Sequence, residues 1–304
     1  MQENHGFQQV SWDQLDSSDL RRLIEIAKAE DLAGWGLVEK PVSIGDKTTE
    51  AIVMEPIEGK AELVARKPIV VSGTPLIPLI LETYGGKCRY EAAMADGSQL
   101  NVGDRIGALV GDVAQMLQAE RIILNFLQHL SGVATETRMY ADLLQGKHTR
   151  VLDTRKTTPG YRLLEKYAVA CGGGWNHRLG LYHWILVKDN HLSSTSSGEG
   201  TALESKVAQV KSNFPDYIVE VEVDRMEQIE PVVRSGADIV MLDNFSDEQL
   251  RQAVGIVDGR AITEASGGVE KDRLVNIAET GVDFVSCGAL IHQSRWVDIG
   301  LDWV

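Results

Sequence analysis

Cysteine and basic residues are scarce in this sequence of 304 residues, and long apolar runs are missing. The three cysteines, Cys88, Cys171 and Cys287, stand far apart, which excludes a disulfide-rich scaffold and a zinc site built on closely spaced cysteine pairs. No stretch approaches the ~18 uninterrupted apolar residues of a membrane helix. The N-terminus also lacks the basic start and apolar core of a signal peptide. We therefore expect a soluble protein of the reducing cytoplasm.

Acidic residues outnumber basic ones by 44 to 30, for a formal net charge of −14. This surplus disfavours a protein that binds nucleic acid or an anionic membrane over a broad surface. The hydrophobic content of 43% is sufficient for a large core, so the chain is globular rather than disordered. The length allows about two domains or one α/β barrel that fills most of the chain.

The charge is unevenly distributed along the chain. The window from residue 147 to residue 191 holds eight basic against three acidic residues, or +5, which leaves −19 for the other residues. A run of like charges is often only a solvated helix face. Here several of the cations stand next to predicted strand ends, which favours an anion-binding site.

The chain up to about residue 110 predicts an α+β domain with an antiparallel sheet, because short apolar segments alternate with Gly, Pro and polar clusters. Asp112 and Gln115 are typical of a helix start, and apolar residues then repeat at helical spacing. We expect Leu130-Ser131-Gly132 to interrupt this helix before a second one continues through Leu144.

Beyond residue 150 the chain becomes regular, with six apolar runs separated mostly by helix-like segments. The runs are VLD (151–153), WILVKD (184–189), IVEVEV (218–223), DIVML (238–242), AITEAS (261–266) and DFVSCGAL (283–290). Serial β/α units of this kind form a barrel or an open parallel sheet. No GxGxxG follows a strand, so the dinucleotide-binding version of the open sheet loses support.

A polar residue closes nearly every one of these predicted strands. The strand ends carry Asp153-Thr154-Arg155-Lys156, Lys188-Asp189-Asn190-His191, Glu222, Asp243-Asn244, Ser266-Gly267-Gly268 and Ser286-x-Gly288. In a β/α barrel the carboxyl ends of the strands meet at one rim, where active sites lie. Six such ends in succession predict a site there.

The residue types at this rim indicate a substrate with several negative charges. Arg155, Lys156, Arg178 and Lys188 would bind carboxylates or phosphates. Glu222 and Asp243 would bind Mg²⁺ together with substrate phosphate oxygens, or act as general acid and base. The pattern leaves other interpretations open for the lysine after the second strand, as an ion-pair partner of one of these carboxylates or as the nucleophile of a Schiff-base aldolase. A non-catalytic anion sensor is a further alternative.

Seven segments together resemble the quinolinate phosphoribosyltransferase family, from about residue 100 to the end. They are AERIILNFLQHLSGVAT (119–135), LDTRKTTPGYRLLEKYAVACGGGWNHRLGL (152–181), LVKDNHL (186–192), VEVEV (219–223), GADIVMLDN (236–244), EASGG (264–268) and ETGVDFVSCGAL (279–290). DTRKTTPG, NHRLGL and KDNH are the most specific of these motifs.

The resemblance implies an α/β protein with an open N-terminal α/β sandwich (1–131) and an incomplete TIM-like barrel of about six strands (132–290). The tail, 291–304, would pack back on the sandwich. It also implies the conversion of quinolinate and phosphoribosyl pyrophosphate to nicotinate mononucleotide, pyrophosphate and CO₂ with Mg²⁺, in the de novo synthesis of NAD. The expected assembly is a homodimer or a dimer-based hexamer.

Site roles carried over from the resemblance cover most of the rim. Arg121 would enter the neighbouring subunit's site and hold a quinolinate carboxylate. Lys156, Lys188, Glu222 and Asp243 would be the catalytic residues, with Glu222 and Asp243 at the ribose or Mg²⁺. The substrate-binding set would further include Thr154, Arg155, His177, Arg178, Ser266, Gly267, Gly268, Ser286 and Gly288, of which Ser266 and the three glycines would hold the 5′-phosphate.

Two features depart from the family pattern. His183 and Trp184 follow NHRLGL where the family usually has an Asp. The tail 291–303 also differs from the usual ending. The segments around 32–47 and 193–199 are longer than the family pattern, which predicts surface insertions there.

Overall fold

The computed structural model describes residues 6–188 and 201–304 of the chain. Asp189, Asn190 and His191 of the KDNH motif, and the insertion predicted at 193–199, lie outside the described residues. No helix among the residues described combines the length and the apolar composition that crossing a bilayer requires.

The strands are β1 (Glu58–Ala65), β2 (Ile69–Val70), β3 (Cys88–Ala92), β4 (Gln99–Leu100), β5 (Arg105–Asp112), β6 (Arg150–Leu152), β7 (Ile185–Val187), β8 (Val219–Val223), β9 (Ile239–Asp243), β10 (Ile262–Ser266), β11 (Phe284–Ser286) and β12 (Ile299–Trp303). The α-helices are α1 (Ser17–Ala33), α2 (Lys47–Ile52), α3 (Leu76–Thr83), α4 (Val113–Leu143), α5 (Arg162–Cys171), α6 (Thr201–Asn213), α7 (Ile229–Arg234), α8 (Asp247–Val257), α9 (Leu274–Ala278) and α10 (Ala289–His292). These elements form two compact units.

The first unit comprises residues 10–136, 159–173 and 294–304. Its main sheet is antiparallel with the strand order β12-β1-β5-β3. In β1 the fully buried side chains of Ala61, Leu63 and Ala65 alternate with less buried neighbours, as expected of a strand with one face on a core. The tail of the chain joins this sheet, since Leu301 of β12 pairs with Leu63 of β1. The predicted α+β domain with an antiparallel sheet is confirmed.

Helix α4 runs from Val113 to Leu143 without a break, so the predicted interruption at Ser131-Gly132 is wrong. Both small residues serve contacts across the unit. The Ser131 hydroxyl accepts a hydrogen bond from the backbone N–H of Ser72 at 3.0 Å. A Cβ at Gly132 would lie 2.3 Å from the carbonyl oxygen of Arg295. Because helix and tail approach so closely here, a larger residue has no room, and the glycine permits packing rather than ending the helix.

The second unit comprises residues 6–9, 137–158, 174–188 and 201–293 among those described. Its six parallel strands follow the order β6-β11-β10-β9-β8-β7, so that the first strand pairs with the last. In the described residues no ladder joins β6 to β7. Instead, Trp175 forms a single parallel bridge to Leu152. The predicted incomplete barrel of six strands is confirmed.

The N-terminal end of this barrel is closed by apolar side chains around Phe7, which is 2% exposed. Phe7 packs with Leu152, Trp184 and Ile239, and its ring centroid lies 4.1 Å from that of Phe284. Because side chains two positions apart in a strand share a face, the residues further along each strand also point into the barrel. The polar strand ends therefore line the opposite end of the barrel.

Candidate active site

The predicted site residues of the barrel unit lie at or just beyond the carboxyl ends of its strands, except for two that lie in the segment before β7. They are Thr154, Arg155 and Lys156 after β6, His177 and Arg178 before β7, Lys188 after β7, Glu222 in β8, Asp243 in β9, Ser266, Gly267 and Gly268 at the end of β10, and Ser286 and Gly288 at the end of β11. The remaining candidate, Arg121, is exposed on α4 and belongs to the other unit.

Arg178 is a buried cation that forms no ion pair within the described part of the chain, although the charge of Glu220 acts on it. Its side chain donates one hydrogen bond, from Nη1 to the carbonyl oxygen of Trp184 at 3.2 Å. Its Nε is buried and has no hydrogen-bond partner within the described part of the chain. Burial and, after it, the charge of Arg155 lower the pKa of Arg178 below its ordinary value. Two guanidinium groups that repel each other in this way form a site that an added carboxylate would stabilise.

Asp153 connects the two cationic loops. Its fully buried carboxylate accepts hydrogen bonds from the backbone N–H of His177 and from Nδ2 of Asn176, both at 2.8 Å. The chain immediately after it carries Thr154, whose hydroxyl accepts the backbone N–H of Lys156 at 3.0 Å. One buried side chain therefore fixes the end of β6 against the segment that carries His177.

The two predicted carboxylates face the same interior. Glu222 pairs in register with Met241, two residues before Asp243 on the neighbouring strand, so both side chains point into the barrel at successive levels. Glu222 forms an ion pair with Lys188, and Asp243 accepts a hydrogen bond from Nδ2 of Asn244 at 2.7 Å. Lys188 is thus an ion-pair partner, one of the interpretations that the sequence left open. A Schiff-base aldolase needs a lysine amine that is free to attack a carbonyl, and this ion pair does not favour that alternative.

The loop after β10 requires glycine. Gly267 has φ +94°, and a Cβ there would lie 2.2 Å from Oδ1 and 2.8 Å from the backbone N of Asn244. Gly268 also has a positive φ, +54°, but its Cβ would meet nothing within 4 Å. The backbone of this loop is consequently bare of side chains on the rim, which allows a phosphate to approach its N–H groups.

Lys156 lies against the end of the last strand. A Cβ on Gly288 would approach Cδ of Lys156 to 3.0 Å. The lysine of the first strand end and the glycine of the last strand end are therefore neighbours, as the closure of the barrel between β6 and β11 requires. Ser286, two residues before Gly288, donates a hydrogen bond from its hydroxyl to the carbonyl oxygen of Ala265 at 3.4 Å.

Three functional candidates were not identified from the sequence: Trp184, Glu220 and Glu264. All three are buried below the rim, where Glu220 accepts a hydrogen bond from the indole N–H of Trp184 at 2.9 Å. Nε2 of His177 lies 3.0 Å from Glu220 and 3.7 Å from Glu264. The available signal was a glutamate inside a strand that otherwise predicts complete burial, since a buried charge is rare without a partner.

His183 occupies the position where the family usually has an Asp. Its Nδ1 accepts the backbone N–H of Leu179 at 3.2 Å, and its ring lies 5.0 Å from that of Trp184. This contact joins the two ends of the turn between Leu179 and His183.

The family models for quinolinate phosphoribosyl transferase match nearly all of the chain beyond residue 45. The N-terminal domain matches residues 46–131, and the C-terminal domain matches residues 133–302.

Curated relatives and a solved structure agree with these matches. The nicotinate-nucleotide pyrophosphorylase [carboxylating] of Mycobacterium leprae is 38% identical over 84% of this chain and 90% of its own length. The quinolinate phosphoribosyltransferase [decarboxylating] 2 of Nicotiana glauca is 34% identical over 93% of this chain and 82% of its own. The structure of the nicotinate-nucleotide pyrophosphorylase from Francisella tularensis superimposes with a TM-score of 0.87 at 36% identity, covering 96% of this chain and 98% of that one. This chain belongs to the quinolinate phosphoribosyltransferase family.

Proposed function

We propose that this protein transfers the phosphoribosyl group of phosphoribosyl pyrophosphate to quinolinate and releases CO₂, forming nicotinate mononucleotide and pyrophosphate in NAD biosynthesis. The observation that carries the proposal is Arg178, a buried guanidinium beside Arg155 whose Nε has no partner in the described part of the chain. A carboxylate of a pyridine dicarboxylate would accept from this Nε and reduce the repulsion between the two guanidinium groups. Family membership supports the same reaction.

The cations before β7 and after β6 would bind quinolinate. Arg155 and Arg178 present planar donor pairs that match carboxylates, and His177 and Lys188 complete the pocket. Because Asp153 fixes the backbone of His177, the dicarboxylate would meet a preorganised surface. Holding both carboxylates aims the ring nitrogen at the ribose, and positioning of this kind supplies much of the rate of a two-substrate reaction.

Phosphoribosyl pyrophosphate would extend along the other strand ends. Ser266, Gly267 and Gly268, with Ser286 and Gly288, would hold the 5′-phosphate, and Glu222 and Asp243 would face the ribose. Departure of pyrophosphate leaves positive charge at C1 of the ribose, and carboxylates below it stabilise that charge. Lys156, which lies against Gly288, would neutralise the pyrophosphate.

Glu222 and Asp243 are the residues that would hold Mg²⁺. Both are partly exposed oxygen ligands that point to the same interior, and Mg²⁺ typically binds one or two carboxylates together with substrate phosphates. Bound there, the ion would supply positive charge to the pyrophosphate leaving group. Lys188, released from Glu222, would then be available to the quinolinate carboxylate.

Loss of CO₂ follows from the bond that is formed. Once the quinolinate nitrogen carries the ribose, the ring nitrogen is positively charged and stabilises the electron pair that stays on the adjacent carbon when its bond to the carboxylate breaks. That carbon then takes a proton from solvent in place of the released CO₂. This step requires neither a covalent intermediate with the enzyme nor a redox cofactor.

The assembly we propose is a homo-oligomer built from dimers, in which Arg121 of one subunit completes the site of another. The exposed position of Arg121 on α4 is compatible with this role. We also place the enzyme in the cytoplasm, where its free thiols at Cys88, Cys171 and Cys287 would stay reduced.

The test is a direct assay with purified protein, quinolinate, phosphoribosyl pyrophosphate and Mg²⁺, in which nicotinate mononucleotide and CO₂ are measured in equal amounts. We expect turnover that stops on addition of a chelator and returns with excess Mg²⁺. Nicotinate replaces quinolinate as the matched control, because it lacks the carboxylate that is lost. Equal turnover of nicotinate would refute the decarboxylating assignment, and binding of both substrates without turnover would favour the anion sensor.

A further inference from the structure

A cluster of buried ionisable groups lies inside the barrel directly below the rim. It comprises His177, Glu220 and Glu264, and one ligand-type atom from each lies within 4.8 Å of the other two. Glu220 and Glu264 are completely buried, and His177 is 5% exposed. The mechanism above uses only His177. The two glutamates are expensive to bury, which calls for a physical reason for their presence.

Glu220 is the centre of the hydrogen bonds in this cluster. Its Oε2 accepts the indole N–H of Trp184 at 2.9 Å. Nε2 of His177 lies 3.2 Å from Oε1 and 3.0 Å from Oε2. A carboxylate is only an acceptor, so this geometry requires a proton on Nε2 of the imidazole. The bond to Glu220 therefore fixes the orientation of the ring and places a negative charge beside it.

Trp184 also fixes the neighbouring cation. Its carbonyl oxygen accepts Nη1 of Arg178 at 3.2 Å, while its indole N–H holds Glu220. At the other end, Asp153 holds the backbone N–H of His177 at 2.8 Å. Three groups therefore hold the dipeptide His177-Arg178: the carbonyl of Trp184, the carboxylate of Asp153 and the carboxylate of Glu220. The indole of Trp184 holds Glu220 in turn.

We infer that Glu220, itself held by the indole of Trp184, is a positioning residue that orients the imidazole of His177 and, as an adjacent carboxylate, favours its charged form, in which the ring can also donate to a carboxylate of the substrate. The inference rests on the proposed function, in which His177 contacts quinolinate. Glu220 does not touch the substrate in this arrangement and acts only through the ring.

Glu264 makes the arrangement possible without adding a second charge. Its carboxyl is completely buried, and its Oε2 lies 3.7 Å from Nε2 of His177. Burial, and then the charge of Glu220, raise its pKa to about 8. It is therefore mainly protonated at neutral pH and does not draw the imidazole of His177 away from Glu220.

The experiment compares Trp184→Phe with Trp175→Phe. Both tryptophans pack in the same apolar cluster at the N-terminal end of the barrel, but the indole of Trp184 holds Glu220. We expect Trp184→Phe to raise KM for quinolinate by about 3- to 10-fold, which corresponds to one hydrogen bond, with kcat and KM for phosphoribosyl pyrophosphate nearly unchanged. Trp175→Phe should leave all three constants close to those of the parent enzyme.

Nitrogen NMR of histidine-labelled enzyme without substrate provides a second readout, which requires no turnover. In the parent enzyme we expect both ring nitrogens of His177 to carry protons at neutral pH, and Glu220→Gln, which removes the neighbouring negative charge, should shift the ring toward its neutral form. The amide introduced by Glu220→Gln retains one acceptor oxygen, but it carries no charge, and the NH₂ group that replaces the second oxygen is a donor. KM for quinolinate should rise about 10- to 100-fold in the same variant.

Three results would overturn the inference. One is a His177 spectrum that is identical in the parent and Glu220→Gln proteins. Another is equal loss of kcat and of affinity for both substrates in Trp184→Phe, which would indicate a general structural role. The third is an equimolar transition metal that survives dialysis against chelator and is lost in Glu220→Gln, since the imidazole would then be a metal ligand. If the parent enzyme does not turn over quinolinate at all, the proposed function fails, while the NMR comparison still tests the hydrogen bond.

Discussion

Because the carboxyl of Glu264 is buried, we expect the free energy of unfolding to fall as the pH rises. Its pKa is raised from 4.5 to about 8, so the folded protein retains a proton that the unfolded chain releases above pH ~4.5. Between these two values the unfolded state binds fewer protons, and the free energy of unfolding decreases with increasing pH. The contribution of this group is complete below pH ~4.5 and is lost by the time the pH exceeds about 8.

Glu264→Gln isolates this effect, because glutamine resembles the protonated acid in shape but does not titrate. At 1.36 kcal/mol for each unit of pKa, a shift from 4.5 to about 8 sets an upper limit of about 5 kcal/mol. Glu220 and His177 respond to the same charge, so we expect the variant to gain roughly 2–4 kcal/mol on the parent protein between pH 5 and pH 9.

Urea unfolding followed by circular dichroism at pH 5, 7 and 9 measures the difference. Glu248→Gln on α8, where the carboxyl is exposed, serves as the control, and its difference from the parent should be small and the same at each pH. If the difference between Glu264→Gln and the parent is also independent of pH, the carboxyl is not protonated in the folded protein and the reasoning is refuted.

Three further predictions concern the rim. Arg178→Lys should raise KM for quinolinate by roughly 10-fold, because an ammonium lacks the planar fork that pairs with a carboxylate; an unchanged KM in steady-state assays would contradict the role of this residue. Arg121→Ala and Lys156→Ala, each inactive alone, should regain part of the activity when the two proteins exchange subunits, and no recovery after demonstrated exchange would exclude a shared site. Gly267→Ala should lower the free energy of unfolding by roughly 1–3 kcal/mol from backbone strain and raise KM for phosphoribosyl pyrophosphate. Gly268→Ala, which meets no neighbour within 4 Å, should cost less, so equal losses of stability in the two variants would show that the close contact has no effect.

The strands of the barrel were predictable because their signal is local. The run IVEVEV at 218–223 corresponds to β8 at Val219–Val223, and AITEAS at 261–266 corresponds to β10 at Ile262–Ser266. Short segments rich in β-branched and apolar residues and bounded by turn signals are typical of strands. The polar residues that follow them mark the rim, because all parallel strands end on the same side.

The predicted break in α4 was wrong because the contacts that decide it are not local in the sequence. Ser131 and Gly132 are poor helix formers, and in isolation they would weaken a helix. Their partners, Ser72 and Arg295, are distant in the sequence. Tertiary contacts therefore decided a question that local propensity answered wrongly.

The sequence by itself determined the order of the strands along the chain, the charge of the site and the family, since periodicity, composition and motifs are all properties of neighbouring residues. Only the tertiary structure decided which charges meet. The contact between Glu220 and His177 joins residues 43 positions apart, and Lys156 meets Gly288 because the first strand pairs with the last. Burial then sets the protonation of Glu264, and burial exists only after the barrel has closed. The net charge of −14 describes the whole molecule, whereas the chemistry of the site depends on a few charges that folding places together and removes from water.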